Sequence, residues 1–194
     1  IYGNVKEIIP DDIPEPLGKS VITTMYLDAN LLHCLATGRS VSGILHLLNK
    51  TPVDWFSKKQ STAETATYGS EFTVARIGVD QQIDIRLTLR YMGVPLDGKA
   101  WAFGDNESVV TSSTVPHSKL GKRHNALNYH RVREAIAAKI VAFVHIPGKL
   151  NIADVLSKHW MHATVWPMLQ ALLFWPGDTA ELLDEDFAAD QTMD

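Results

Sequence analysis

The chain has 194 residues, 45% of them apolar and 21% charged, which fits one soluble globular domain with a flanking segment. Its formal net charge is −4, from 18 Lys and Arg against 22 Asp and Glu. Taken whole, that charge argues against a nucleic-acid-binding protein, whose domains are usually basic. The single cysteine, Cys34, excludes an internal disulfide framework and a multi-cysteine zinc site, and reads as an intracellular, reducing setting.

The charge is segregated along the chain. Residues 177–194 hold seven acids and no Lys or Arg; without them, 18 bases face 15 acids and the body is net +3. Within 117–139, Lys119, Lys122, Arg123, Arg131, Arg133 and Lys139 are offset only by Glu134. The terminal acidic run reads as a disordered, solvating tail. The first residue is Ile1 rather than Met, which reads as a processed product or an excised piece.

Residues 1–19 carry Pro10, Pro14 and Pro16 among acids and read as an extended linker. The β-branched run 20–29 predicts a strand ending at Asp28. Thr37 to Ser40 reads as a turn, followed by strands over 42–50 and 53–57 in an antiparallel meander. From Thr62 to about Met92, Tyr68, Phe72, Ala75, Val79, Ile83 and Leu87 recur at helical spacing, and Gly93 and Pro95 end the run. A fourth strand over 100–105 ends at Asp105, before a short helix over 106–113. An amphipathic helix from His124 to about Lys139 turns Val132, Ala135 and Ile136 inward. A fifth strand, 140–146, leads through Pro147 and Gly148 to a last helix over 151–160. The apolar stretch 160–175 is interrupted by His162 and Pro167, is too short to span a bilayer, and reads as a packed helix. The order β-β-β-α-β-α-α-β-α predicts an α/β fold with a mixed sheet flanked by helices.

Asp28 and Asp105 end strands expected to be central, where open α/β sheets build their sites. A carboxylate after an apolar run such as MYL or WAF is costly unless paired or metal-bound. Glu71 adjoins the core-facing Phe72, and Asp154 lies in the first turn of the last helix. Each acid also has a plainer reading. Asp105-Asn106 can cap a helix, and Asp154 can favour a helix N-terminus. The glycines of 38-GRSVSG-43 have phosphate-loop spacing but are followed by Ile44 rather than Lys. His159 and His162 lack partners for zinc.

The run 57-SKKQSTAETATYGSEF-72, with 37-TGRSVSG-43, 104-GDN-106, 129-YHRVREA-135 and 153-ADVLSK-158, resembles the ribonuclease H domain of copia-type LTR retrotransposon Pol polyproteins over about 20 to 160. The resemblance implies a ribonuclease H-like fold whose five-stranded mixed sheet has the order 3-2-1-4-5. It places 1–19 as the connection from a reverse transcriptase, 20–160 as the ribonuclease H domain, 161–176 as an apolar C-terminal helix and 177–194 as the acidic tail. It also implies cleavage of the RNA strand of an RNA/DNA hybrid with two Mg²⁺ ions, Mn²⁺ substituting. Such ions favour hard oxygen ligands. The family's four carboxylates fall on Asp28, Glu71, Asp105 and Asp154. In that scheme Asp28 bridges both ions, Asp154 serves the water-activating ion, and Glu71 with Asp105 serves the leaving-group side. Candidates for hybrid contacts are Gln60 and Asn106 at 2′-hydroxyls, and Arg39, Lys58, Lys59, Lys119, Lys122, Arg123 and Arg131 at phosphates. The expected partners are the hybrid and the reverse transcriptase of the same polyprotein, with no membrane. The expected location is a cytoplasmic particle or the nucleus. Many relatives place a histidine in the loop before the last aspartate; here 147-PGKLN-151 has none, leaving His145, His124 or His130 as substitutes. The alternative function is a non-catalytic, hybrid-binding tether of the same fold.

Overall fold

In β1 (Thr23–Cys34), Thr23, Met25, Leu27 and Ala29 alternate into the core. β1 continues beyond its expected end at Asp28, and its pairing becomes irregular between Asn30 and Cys34. β2 (Arg39–Leu48) and β3 (Thr51–Lys59) complete the meander. Both are longer than their turn residues predict. Pro52 fits inside β3 because that strand is at the sheet edge and its register shifts there.

The computed structural model describes residues 2–120 and 123–173, so the acidic tail and Lys122 lie outside the described residues. The helix α1 (Thr67–Tyr91) begins five residues later than its apolar spacing suggests. It ends as expected at Gly93, whose φ of 73° suits glycine, with the Val94 N–H returning to the Leu89 carbonyl. β4 (Ala100–Gly104), α2 (Glu107–Thr114), α3 (Ala126–Ala137) and β5 (Val141–His145) follow. The chain forms two compact units, one over 1–159 and a second that begins at Trp160. In the second, α5 (His162–Leu173) contains Pro167 and stacks the His162 ring on that of Trp166. Among the described residues, no helix is long and apolar enough to cross a membrane.

The sheet order is β3-β2-β1-β4-β5; β1 is antiparallel to β2 and parallel to β4, and β5 is parallel to β4. α1 and α3 bury Phe72, Ala75, Val79, Val132 and Ala135 with Met25, Leu27 and Ile44 of the sheet. His46 of β2 is buried and hydrogen-bonds Gln81 and Gln82 of α1. Residues 2–19 form no strand or helix, yet they are held on the body. Glu7 accepts from Arg90 at 2.6 and 2.8 Å and from the buried Arg86 at 3.4 Å.

The last helix of the first unit is a correction to the sequence reading. Instead of 151–160, α4 spans only Asp154–Ser157 and is preceded by a 3₁₀ turn at Gly148–Leu150. Asn151 is fully buried and donates to the Leu27 carbonyl at 2.8 Å while accepting from the Ala153 N–H. Its amide therefore anchors the turn to β1 rather than extending a helix. Gly43, paired with Asp28 across the strands, lets α4 approach. A Cβ there would lie 2.6 Å from the Ala153 carbonyl oxygen and 3.0 Å from the Ser157 nitrogen. Since both neighbours are backbone, Gly43→Ala should displace α4 and destabilise the fold by about 1–3 kcal/mol. Urea unfolding checks this; a variant as stable as the parent would contradict the packing.

Candidate active site

The parallel pairing that aligns Leu27 with Gly104 puts the next residues, Asp28 and Asp105, side by side at the strand ends. α1 covers the sheet face that buries Met25 and Leu27, and it brings Glu71 to the same end. α4 meets the sheet at Gly43, beside Asp28. One carboxylate oxygen from each of Asp28, Glu71 and Asp105 lies within 4.8 Å of the others. Gly148 closes the turn over Asp105, where a Cβ would come within 3.1 Å of Oδ2.

Asp154 is not in that mutual group. Its Oδ1 meets the Lys158 ammonium at 2.5 Å, and the same ammonium lies 3.5 Å from Asp28 Oδ1. Ser157 donates to the other oxygen of Asp28. Thus the structure brings three of the four expected acids together and joins the fourth to them through a lysine. Ser157, Lys158 and Asn151 were not singled out from sequence. The Asp154–Lys158 spacing of four residues is a helix-pair signal that could have found one of them.

The electrostatics reflect crowding. Burial raises the Asp28 carboxyl to about 6, the Ser157 hydrogen bond and Lys158 charge oppose it, and Asp154 adds to the rise. Burial pushes Glu71 well above its ordinary value of 4.5, as do the charges of Asp28 and Asp105; the Ala29 N–H, at 3.3 Å, offsets this only in part. For Lys158, burial acts downward, but the hydrogen bond to Asp154 and the charges of Asp28, Asp154 and Asp105 leave the ammonium raised. Carboxylate oxygens held this close, two of the acids buried, are a hard donor set that fits a divalent cation such as Mg²⁺. Asp28, Glu71, Asp105 and Lys158 line an open cleft of about 540 Å³, together with Asn106 and residues Ala29 to Leu31.

The expected nucleic-acid residues divide by environment. Asn106 caps α2 by accepting from the Val109 N–H and borders the cleft. Lys58 and Lys59 are exposed on β3 and border a neighbouring basic cleft with Lys158, His33 and His159. Arg39, Lys119 and Arg123 are exposed. Gln60 corrects its expectation: it is buried and donates to the Ser42 hydroxyl and the Ser70 carbonyl, tying β3 to α1. Arg131 is committed to Asp80 at 2.8 Å and Glu134 at 3.3 Å. Arg133, counted in the basic run, is buried and donates to the carbonyls of Ser112, Val115 and Pro116. Of the three histidines considered, His145 hydrogen-bonds the Asp105 carbonyl at 3.1 Å, His124 pairs with Glu64, and His130 with Tyr2.

Comparison with solved structures settles the architecture. The N-terminal RNase H domain of a Mycobacterium tuberculosis protein superposes with a TM-score of 0.56 at 14% identity, over 78% of this chain and 99% of that one. LC11-RNase H1 in complex with an RNA/DNA hybrid gives 0.55 at 16%, over 70% of this chain and 93% of that one. The fold is that of ribonuclease H. Its expected sheet order, 3-2-1-4-5, is the order observed. In sequence, the chain is 28% identical over 122 residues to a retrovirus-related Pol polyprotein from transposon RE2 of Arabidopsis thaliana, and 27% identical to that from transposon RE1. Each match covers 61% of this chain, which spans 8% of those polyproteins. No family model matches the chain.

Glu71 supplies a direct check on this acidic site. Its raised carboxyl makes the protonated form the one the fold favours. That stabilisation is complete below about 4.5 and is lost as pH rises through the elevated value. Without divalent cations, Glu71→Gln should therefore exceed the parent in urea midpoint at pH 8, with the gap closing near pH 4. A gap independent of pH would contradict the assignment.

Proposed function

We propose that the chain is the ribonuclease H domain of a copia-type retrotransposon Pol polyprotein and cuts the RNA strand of RNA/DNA hybrids. The observation carrying this reading is the convergence of Asp28, Glu71 and Asp105 at the carboxyl ends of β1 and β4, on a ribonuclease H fold. The similarity to transposon Pol polyproteins supports it. Asp28, Glu71 and Asp105 would hold Mg²⁺ or Mn²⁺, with Asp154 as the fourth acid. Two such ions, when bound, activate the attacking water and stabilise the leaving 3′-oxygen.

The chain's own groups orient this site. Ser157 and the Ala29 N–H fix the Asp28 and Glu71 carboxylates. Asn106 and the residues after Asp28 border the cleft, where they meet the 2′-hydroxyls that distinguish RNA from DNA. Lys58 and Lys59 take backbone phosphates beside it. Residues 2–19 lead from the preceding reverse transcriptase and dock on α1 through Glu7. Arg39, Lys119 and Arg123 add positive potential rather than base-specific contacts.

A labelled RNA/DNA hybrid, offered beside duplex DNA and duplex RNA with Mg²⁺, tests this reading. Only the hybrid should be cut, leaving 5′-phosphate and 3′-hydroxyl ends. Asp105→Asn should lower the rate about a thousandfold, the effect of losing several kcal/mol of metal-borne stabilisation, while keeping the parent's circular dichroism. Undiminished cleavage by Asp105→Asn would overturn the site. Hybrid binding without any cleavage by the parent would make the domain a tether.

A further inference from the structure

Lys158 stands where positive charge is most needed. Four acids meet at this end of the sheet, and the Lys158 ammonium touches two of them, Asp154 at 2.5 Å and Asp28 at 3.5 Å. The contact is selective. Ser157 occupies Asp28 Oδ2, leaving Oδ1 for the lysine. The residue is the C-cap of α4, with extended backbone (φ −122°, ψ 154°), so its side chain leaves a one-turn helix at its loose end. It also remains accessible, with 32% of the side chain exposed.

The lysine borders two clefts. One is lined by Asp28, Glu71 and Asp105; the other by Lys58, Lys59, His33 and His159. A four-carbon stem with a strongly hydrated point charge can turn between such neighbours without backbone movement. The two environments differ in sign. Among the acids the ammonium neutralises repulsion; beside Lys58 and Lys59 it is stable only with an anion present, such as a backbone phosphate.

We propose that Lys158 is an exchangeable internal counter-ion: its ammonium bridges Asp28 and Asp154 until a divalent cation displaces it toward the basic cleft. This rests on the metal-dependent nuclease reading above. Lys158 is thus a positioning residue that keeps Asp28 and Asp154 in register before the metal binds, and it competes with that metal for the same oxygens. The competition sets a threshold on divalent-cation concentration, and an anion in the basic cleft lowers that threshold by receiving the displaced ammonium.

The test uses Mn²⁺ alone as the probe, titrated calorimetrically into the full chain without nucleic acid. Lys158→Met removes the competitor and retains most of the stem; Lys158→Arg retains the charge. Lys158→Met should bind Mn²⁺ at least about fivefold tighter than the parent, within the usual range for coupled sites. Lys158→Arg should bind no tighter than the parent. In chelator, Lys158→Met should also melt below the parent, and saturating Mg²⁺ should abolish that deficit. Mn²⁺ affinity in Lys158→Met equal to or weaker than the parent's, with a melting deficit that Mg²⁺ leaves unchanged, would make Lys158 a fixed structural brace and overturn the proposal. If the parent still cuts hybrid in that case, the nuclease reading stands alone. If neither protein takes up Mn²⁺ and no hybrid is cut, both fail together.

Discussion

Carboxylates do not gather out of water unaided. Asp28 and Glu71 are each buried, and one oxygen of each lies within 4.8 Å of the other and of one from Asp105. Removing an anion from water is costly, and placing others beside it adds repulsion. The surrounding structure answers that constraint group by group. Ser157 and the Ala29 N–H donate to the acids, and Lys158 supplies charge. Gly43 and Gly148 have no side chain to keep α4 and the 3₁₀ turn away. Even so, burial keeps the carboxyls of Asp28 and Glu71 raised.

Much of this was legible in the sequence because it depends on local pattern. β-branched, apolar runs between turn residues marked the strands, and the spacing from Tyr68 to Leu87 marked α1 and set Glu71 beside Phe72. What escaped depends on tertiary contact. Nothing local distinguishes a ten-residue helix over 151–160 from the single turn observed; the Asn151 bond to Leu27, far away in the chain, decides it. Gln60 looked available for nucleic acid until the β3–α1 packing buried it. The linker-like residues 2–19 were composed like a spacer, yet Glu7 meets two arginines that sit a helical turn apart on α1.

Charge shows the same lesson. The net −4 of the whole chain hides a body of +3, and within that body basic residues serve different ends. Arg86, Arg90, Arg131 and Arg133 are committed to acids or carbonyls inside the protein. Lys58 and Lys59, by contrast, remain exposed beside the cleft that Lys158 shares. Counting bases therefore overstated the surface available to phosphate, while the positions of a few lysines mattered more than their number. In the proposed ribonuclease, the acids draw metal to one cleft and the lysines draw backbone to its neighbour.

The most direct measurement is a crystal structure of the chain soaked in Mn²⁺, with anomalous scattering used to place the metal. The expected result is a peak bounded by carboxylate oxygens of Asp28, Glu71 and Asp105. A saturating soak that leaves no peak there, or a Glu71 side chain turned away from the two aspartates, would contradict the view that these acids are assembled to hold metal.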